Sequence, residues 1–346
     1  MKDRIGFIAI GQAGGNIGRL LEEKGFSVLF VNTSKEDLDT LPDVKHRYHI
    51  PGGEGCNKDR HKAKKLIVDN YDNLSAAIGE KVNKDILFVI FSSGGGTGSG
   101  VGPMLVDLLC DDHKTVGAIT VLPGQSDSLK SHINAYECFC ELTDIDGMAS
   151  TFILDNDKHK DKLKINSIFV NMFTRYLDVP DNIKSVKGNI DKAEVMETLK
   201  SRGMSIVSSL GESGSLPALI NTFSNNIFAP IEEDRVIKYI ALAGADGIII
   251  HELEKVVGKP IDTFRTYCDS ATVCMLSGLS YPHSRLDLIH KTVIDNKDLI
   301  KKNIAPPNQK MKNDMDFMDE LTTTKKIVQS DKVKGNSIRD KMSKYL

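Results

Sequence analysis

The stretch FSSGGGTGSG, from Phe91 to Gly100, combines glycines with hydroxyl side chains between two apolar runs. A glycine-rich turn before a helix can bind phosphate, because its backbone N–H groups line a concave turn and the helix directs its positive end at the anion. Glycine suits this role because it accepts positive φ and has no Cβ to block phosphate oxygens. The predicted phosphate-binding residues are Gly94, Gly95, Gly96, Thr97, Gly98 and Ser99.

Two other phosphate-binding loops fit the chain poorly. A P-loop requires a lysine after its last glycine, whereas Ser99 follows Gly98 and no lysine comes next. A dinucleotide-binding turn requires a second glycine where the segment GQAGGN has Ala13, and its second strand should end in an acid, not in Asn32 and Thr33. A tight turn without a ligand is the remaining alternative, although one or two glycines suffice for such a turn.

Apolar runs rich in β-branched residues alternate with helical patterns over the first half of the chain. This alternation predicts a doubly wound, mostly parallel α/β sheet with crossover helices on both faces. Ligands bind outside the carboxyl ends of the strands in such a sheet, so the loops that follow strands are expected along one edge. The predicted strands are residues 4–11, 26–33, 85–93 and 115–124, and the predicted helices are 16–25 and 102–113.

The second half predicts a long central helix followed by a smaller α/β domain. Residues 161–180 are largely apolar and end at Pro180, which is typical of a helix buried between two bodies. Further strands are predicted at 235–244 and 272–280, with helices at 190–203, 251–259 and 284–303. The expected division is a nucleotide-binding domain at 1–160, the central helix at 161–180, a loop and helix at 181–203, the second domain at 204–305 and a C-terminal extension at 306–346.

Composition excludes several classes of protein. The 346 residues are 40% hydrophobic with a net charge of -2, so the chain as a whole does not attract DNA or an anionic membrane. The longest apolar runs, such as ILFVIF, are too short to span a bilayer. Six scattered cysteines and nine histidines form no metal-binding or disulfide pattern, so no metal ligand is predicted. We expect a cytoplasmic protein without direct membrane contact.

The string GGGTGSG at 94–100 resembles the signature of the tubulin/FtsZ family of GTP-dependent filament-forming proteins. Three other segments fall where that family has nucleotide-binding loops: GQAGGNIG at 11–18, VNTSKEDL at 31–38 and PGGEGCNKDR at 51–60. The resemblance implies a tubulin/FtsZ-like fold that binds GTP and GDP. The further nucleotide-binding residues that it implies are Gly11, Gln12, Ala13, Asn16, Asn32, Thr33, Gly53, Gly55 and Asn57.

Base recognition also follows from the resemblance. The segment LDND at 154–157 is similar to the strand end whose asparagine, Asn156 here, contacts guanine in the family. Asn166 is implied as a second base contact, with Asn171 as its rival. The residues alone do not separate guanine from adenine, because one asparagine can read either base. Mg²⁺ is expected because clustered phosphates need a counter-charge, yet no protein ligand for it is evident.

GNIDKAEV at 188–195 resembles the family's catalytic loop, and the implied catalytic residues are Asp191 and Glu194. Their spacing at a helix start makes both carboxylates project from one side. On the predicted topology they lie at the opposite end of the molecule from the glycine loop, so they would complete the phosphate site of a neighbouring subunit. Head-to-tail filaments would result, because such a contact does not close on itself. A plain helix cap is the alternative interpretation of this segment.

The chain departs from FtsZ at Glu194, where Asp is usual, and it ends in a basic segment. Between Thr322 and Leu346 seven Lys and Arg face two Asp, a local charge of +5. These features resemble the TubZ branch of the family, whose treadmilling filaments move plasmid or phage DNA through a DNA-bound adaptor. The tail is predicted to be flexible and to bind that adaptor or DNA. The alternatives are a solvated tail, an FtsZ-type division scaffold, a phage tubulin that centres replicating DNA, and a non-hydrolysing filament regulator.

Overall fold

The computed structural model describes residues 1–211, 214–304 and 342–343. Most of the basic tail therefore lies outside the described residues. The strands are β1 Ile5–Ile10, β2 Ser27–Asn32, β3 Arg47–His49, β4 Ile86–Ser92, β5 Val116–Leu122, β6 Ser150–Asp155, β7 Gly203–Leu210, β8 Tyr239–Gly244, β9 Asp262–Tyr267 and β10 Thr272–Leu279. The helices are α1 Gly11–Glu23, α2 Lys35–Asp39, α3 Arg60–Lys81, α4 Thr97–Asp111, α5 Leu129–Thr143, α6 Lys162–Leu177, α7 Val179–Asn182, α8 Lys192–Lys200, α9 Leu216–Ser224, α10 Ile250–Val257, α11 His283–Asp295 and α12 Lys297–Ile304.

Within the described residues, one ten-stranded sheet runs through both halves of the molecule in the order β3-β2-β1-β4-β5-β6-β7-β10-β8-β9. Only β10 is antiparallel to its neighbours, β7 and β8. Three residue pairs join β6 to β7, from Ser150↔Gly203 to Phe152↔Ser205. The predicted mostly parallel α/β fold is confirmed. The boundary expected between the two domains stays a prediction.

The four predicted strands of the first half are present, but two helices begin earlier than predicted. α1 begins at Gly11, not at residue 16, and α4 begins at Thr97, not at residue 102. The glycines near these starts disfavour a helix locally, but burial of both helices against the sheet overrides that preference. The single closing helix predicted at 284–303 is wrong, because Asn296 separates α11 from α12.

The central helix α6 packs an aromatic cluster against the sheet. Phe173 lies at its centre, with its ring centroid 5.3 Å from that of Phe152, 5.5 Å from Phe169, 6.0 Å from Phe88 and 6.3 Å from Phe7. All five side chains are fully buried. Rings in edge-to-face and stacked arrangements add to the free energy of burial. α6 also contacts α1, β7 and β10, so it lies between the two halves as predicted.

Phe173→Ala is expected to lower the free energy of unfolding by about 3–5 kcal/mol, because it leaves a cavity among four aromatic rings. Urea denaturation followed by circular dichroism would measure the change. Leu163→Ala is the matched control on the same helix, since Leu163 is 60% exposed, and it should change stability by less than about 0.5 kcal/mol. A loss below about 1 kcal/mol for Phe173→Ala would contradict this account of the core.

Candidate functional site

The carboxyl ends of β1, β2 and β4 open into a cleft of about 380 Å³. The cleft brings together residues from all four of the predicted nucleotide-binding loops, which are up to 87 positions apart in the chain (11 to 98). Its edge is the one expected for a ligand in a parallel sheet. The predicted residues that line it are Gly11, Gln12, Ala13, Asn32, Gly55, Asn57, Gly95, Gly96, Thr97 and Gly98.

Two helices begin at this cleft without a side-chain cap. α1 begins at Gly11 after Ile10, and α4 begins at Thr97 after Gly96, and neither preceding residue supplies a capping hydrogen bond. The first N–H groups of a helix have no partner within the helix, and they carry the positive end of its dipole. The cleft therefore presents two sets of free backbone donors to the same space. An anion is the ligand that such an arrangement favours.

The structure gives a different reason for the glycines of 94–100 from the one expected. None of these glycines has a positive φ. Most are required by close packing: a Cβ on Gly96 would lie 2.8 Å from the backbone of Lys58, and one on Gly100 would lie 2.7 Å from the Arg60 carbonyl oxygen. Gly95 differs, because it lines the cleft and a Cβ there would meet no protein atom closer than 3.9 Å.

Several predicted nucleotide-binding residues lie beside the cleft without lining it. Thr33 is buried, and its hydroxyl is 2.7 Å from that of Thr97. Gly53 packs on Thr33, with a hypothetical Cβ 2.6 Å from the Thr33 carbonyl oxygen. Gly94 packs against Ser131, and Asn16 lines a small adjoining cavity with Gln12 and Asp37.

Ser99 is also buried, and its hydroxyl donates to the Gly95 carbonyl oxygen. Its side chain is thus engaged within the loop, and a contact with a ligand would come from its backbone N–H.

The two asparagines predicted to contact a base follow the carboxyl end of β6 in the chain, and neither lines the cleft. Asn156 follows β6 and starts a short 3₁₀ turn, Asn156–Lys158. Asn166 lies one turn inside the start of α6 and is 8% exposed. The rival, Asn171, lines a different cleft together with Lys2 and Lys24 near the chain's N-terminus. The geometry therefore favours Asn166 over Asn171.

Among the described residues, Lys58 is the one Lys or Arg that lines the cleft, and sequence reasoning did not identify it. Its backbone and that of Asn57 are left-handed, with φ of 59° and 43°. Its Nζ donates to the hydroxyls of Ser128, at 2.7 Å, and Ser131, at 2.8 Å. Asn134 supports the same loop by donating to the carbonyl oxygens of Lys58 and Gly95. No local pattern links these residues, which are about 70 positions apart.

Asp127 stabilises the loop that follows β5. It accepts a hydrogen bond from the Gly124 N–H at 2.9 Å and pairs with Lys162 Nζ at 2.7 Å. Partial burial raises the pKa of this carboxyl, but its hydrogen bonds with Lys162 and Gly124 outweigh burial and hold the pKa below its usual range. The pair links this loop to the first residue of α6.

Asp191 and Glu194 form a capping box at the start of α8. Asp191 accepts from the N–H groups of Ala193 and Glu194, and Glu194 Oε2 accepts from the Asp191 N–H at 2.9 Å. The helix cap considered for this segment is therefore present. Each bond uses one carboxylate oxygen, so the second oxygen of each group has no bond within the capping box.

The capping box lies far from the cleft. Lys192, the first residue of α8, pairs with Asp181 at 2.8 Å, and Asp181 is 4.0 Å from the amino group of Met1. Met1 precedes β1, whereas the cleft lies after the last residue of β1. Six residues of strand span about 20 Å. Asp191 and Glu194 cannot reach the cleft of their own subunit.

No group of three or more His, Cys, Asp or Glu side chains in the described part of the chain could hold a metal ion. Mg²⁺ bound to nucleotides is held largely by phosphate oxygens and water, with one or two protein groups. In the part of the chain that the structure describes, Asp37 is the one carboxylate that lines the cleft, and its Oδ2 accepts from Asn32 Nδ2 at 3.3 Å. The cleft is therefore suited to a Mg²⁺ ion held mainly by phosphate oxygens, and not to one enclosed by protein ligands. No helix among the described residues is long and apolar enough to cross a membrane.

The family model described as "Tubulin/FtsZ family, GTPase domain" matches residues 4–164. This segment is a GTPase domain of the tubulin/FtsZ family. The matched residues include β1 to β6 and every loop that lines the cleft. The four loops that carried the resemblance in the sequence therefore belong to one recognised domain.

Known relatives extend the similarity beyond the GTPase domain. Tubulin-like protein TubZ of Clostridium botulinum C phage is 28% identical over an alignment of 362 positions, which covers 100% of both chains. Tubulin-like protein CetZ of Pyrococcus horikoshii is 31% identical, over 44% of this chain and 45% of its own. The crystal structure of C. botulinum phage c-st TubZ superimposes with a TM-score of 0.78 at 27% identity, covering 86% of this chain and 100% of that one.

Gly96→Ala is expected to lower the free energy of unfolding by about 1–3 kcal/mol, because the new methyl group overlaps the Lys58 backbone. Gly95→Ala is the matched control in the same loop and should cause no loss, since its methyl group would meet no protein atom closer than 3.9 Å. Urea denaturation of both variants measures the difference. Equal losses would contradict the distinction between packed and cleft-facing glycines.

Proposed function

We propose that this chain is a GTP-dependent, filament-forming cytoskeletal protein that hydrolyses GTP between head-to-tail subunits. The proposal rests on one observation. Within one subunit, a cleft suited to phosphate lies at one end and a carboxylate pair lies at the other. A GTPase site divided in this way becomes complete only when a second subunit supplies the missing half. Hydrolysis would then depend on assembly.

Guanine nucleotide is the proposed ligand of the cleft. The family match supports it, and so does the convergence of two uncapped helix starts with the hydroxyl of Thr97. The structures of TubZ from Bacillus thuringiensis serovar israelensis are of GTPγS-form and GDP-form protofilaments, at 17% and 16% identity. Asn156 and Asn166 are the proposed base contacts. Mg²⁺ bound with the nucleotide would neutralise phosphate charge.

The end of the molecule that carries Asp191 and Glu194 has features of an interface. Val186, in the loop before α8, is fully exposed, and Ile249 at the start of α10 is 57% exposed. An ion pair between Lys187 and Asp246 links these two segments. Exposed apolar side chains beside charged ones are common where proteins associate. A second copy of this chain, with its cleft facing this end, is the proposed partner.

The carboxylates of Asp191 and Glu194 would act on water in the composite site. Their hydrogen bonds in the capping box fix the direction of both side chains before a neighbouring subunit arrives. The second oxygen of each group can accept a hydrogen bond from a water molecule, hold it in line with the terminal phosphate, and polarise it. Neither carboxylate needs to move from its capping position to do this.

Asp191→Asn is expected to lower the GTP turnover of assembled protein by about 10² or more, because the amide retains the helix cap but is not a base. Filaments should still form and should disassemble slowly. Phosphate release measured against protein concentration, together with light scattering in GTP, GDP and ATP, provides the test.

Asp72→Asn, an exposed carboxylate on α3, is the control and should leave turnover unchanged. For the wild type, turnover per subunit should rise sharply above a critical concentration. Wild-type turnover by Asp191→Asn, or turnover per subunit independent of concentration, would contradict the shared site.

We further propose that the filaments move or segregate plasmid or phage DNA through the basic C-terminal segment. The support is the +5 charge between Thr322 and Leu346, together with the similarity to a phage TubZ over the whole chain. A cationic segment binds DNA, or an acidic surface on a DNA-bound adaptor, by releasing counterions. The contact would weaken as salt concentration rises.

Deletion of the residues after Thr322 should abolish salt-sensitive co-sedimentation of filaments with DNA or with a DNA-bound adaptor, because it removes the cationic segment. It also removes Met342, which is 7% exposed and belongs to the hydrophobic core. A full-length variant with glutamine at all seven basic positions separates charge from length and should behave like the deletion. Co-sedimentation at the wild-type level in either variant would refute the role of the tail. The substituted residues are Lys325, Lys326, Lys332, Lys334, Arg339, Lys341 and Lys344.

A further inference from the structure

Arg285, on α11, forms a buried network with the segments that follow β5 and β6. Its side chain is 6% exposed. Nε donates to Asp155 Oδ2 at 2.7 Å, and Nη2 donates to Asp155 Oδ1 at 3.1 Å, Asp157 Oδ2 at 2.8 Å and the Pro123 carbonyl oxygen at 2.7 Å. One guanidinium thus holds two carboxylates and a backbone oxygen from segments about 130 and 160 residues away.

These partners flank Asn156, the proposed guanine contact. Asp155 ends β6, and Asp157 lies in the 3₁₀ turn that Asn156 starts. Asp155 Oδ1 also accepts from the Asp157 N–H at 3.1 Å, so the carboxylate that Arg285 holds fixes the backbone on both sides of Asn156. The orientation of Asn156 therefore depends on contacts made by its two neighbours.

The same network joins this turn to the loop after β5. Asp157 Oδ1 accepts from the Gln125 N–H at 2.8 Å, while its Oδ2 accepts from Arg285. A Cβ on Gly124 would lie 3.0 Å from Asp157 Oδ1, so the two loops are closely packed. Because Asp155 is 2% exposed, loss of the guanidinium would leave a buried carboxylate without its cation. The turn would then have to rearrange.

We propose that Arg285 is a positioning residue for base selectivity, acting through Asp155 and Asp157 to hold Asn156 in the orientation that reads guanine. The inference rests on the proposed guanine-nucleotide function. Arg285 itself does not line the cleft at the phosphate loops, so it affects recognition of the base and not binding of the phosphates. It also makes α11 part of the nucleotide site.

The test compares the affinities of full-length variants for fluorescent GDP and ADP analogues. Arg285→Gln should lower the GDP-to-ADP affinity ratio by about tenfold or more, since charged hydrogen bonds of this kind control the turn. Asp157→Asn should also lower the ratio but by less, because it removes one contact at a carboxylate whose side chain is 33% exposed. Arg285→Lys should restore part of the ratio, because lysine keeps the charge but not the planar fork.

Ile289→Ala is the matched control, because it creates a cavity on the same helix at an apolar residue that is 1% exposed. It should lower stability while leaving the affinity ratio unchanged. An unchanged GDP-to-ADP affinity ratio in Arg285→Gln would overturn the proposal, even if both affinities fell by the same factor. The same outcome in Asp157→Asn would also overturn it. If the wild-type protein did not prefer GDP to ADP, the proposed function would fail instead, so the two failures are distinguishable.

Discussion

The length of the parallel strands is the constraint on which the rest of the structure depends. Backbone hydrogen bonding keeps each strand extended, so whatever follows β1 is separated from whatever precedes it by about 20 Å. The cleft lies at the carboxyl ends, and the capping box of α8 is tied through Lys192 and Asp181 to the chain's N-terminus. No side chain spans that distance. A chemistry that needs both ends therefore needs two molecules.

Much of the fold could be predicted because buried parallel strands appear in the sequence as continuous apolar runs. β4, for example, appears as ILFVIFS, and its six apolar residues are all buried. The starts of α1 and α4 could not be predicted in the same way, because glycine has a low helix propensity and gives no sign of packing. Gly14 shows the reason, since a Cβ there would lie 2.4 Å from the Ile90 carbonyl oxygen. The glycines bring these helices close to the sheet.

The candidate site was predictable where its residues are contiguous. The segments GGGTGSG and GNIDKAEV are recognisable as sequence motifs, and residues of GGGTGSG line the cleft. Lys58 and Arg285 could not be found, because their partners lie about 70 to 160 positions away and only the fold brings them together. The adjacent residues Asn57 and Lys58 both have a left-handed backbone. The sequence could not predict this conformation, because only asparagine of the two is enriched in it.

The capping box also bears on why Glu, and not Asp, occupies position 194. Glutamate is long enough to reach back to the Asp191 N–H while Asp191 caps the Glu194 N–H, so each residue orders the other. Side-chain rotamer entropy is then lost once, when α8 folds, and is not lost again when two subunits meet. On the proposed function, a free subunit would already hold its carboxylate pair in the capping arrangement, and association would have to supply only the position of the neighbour.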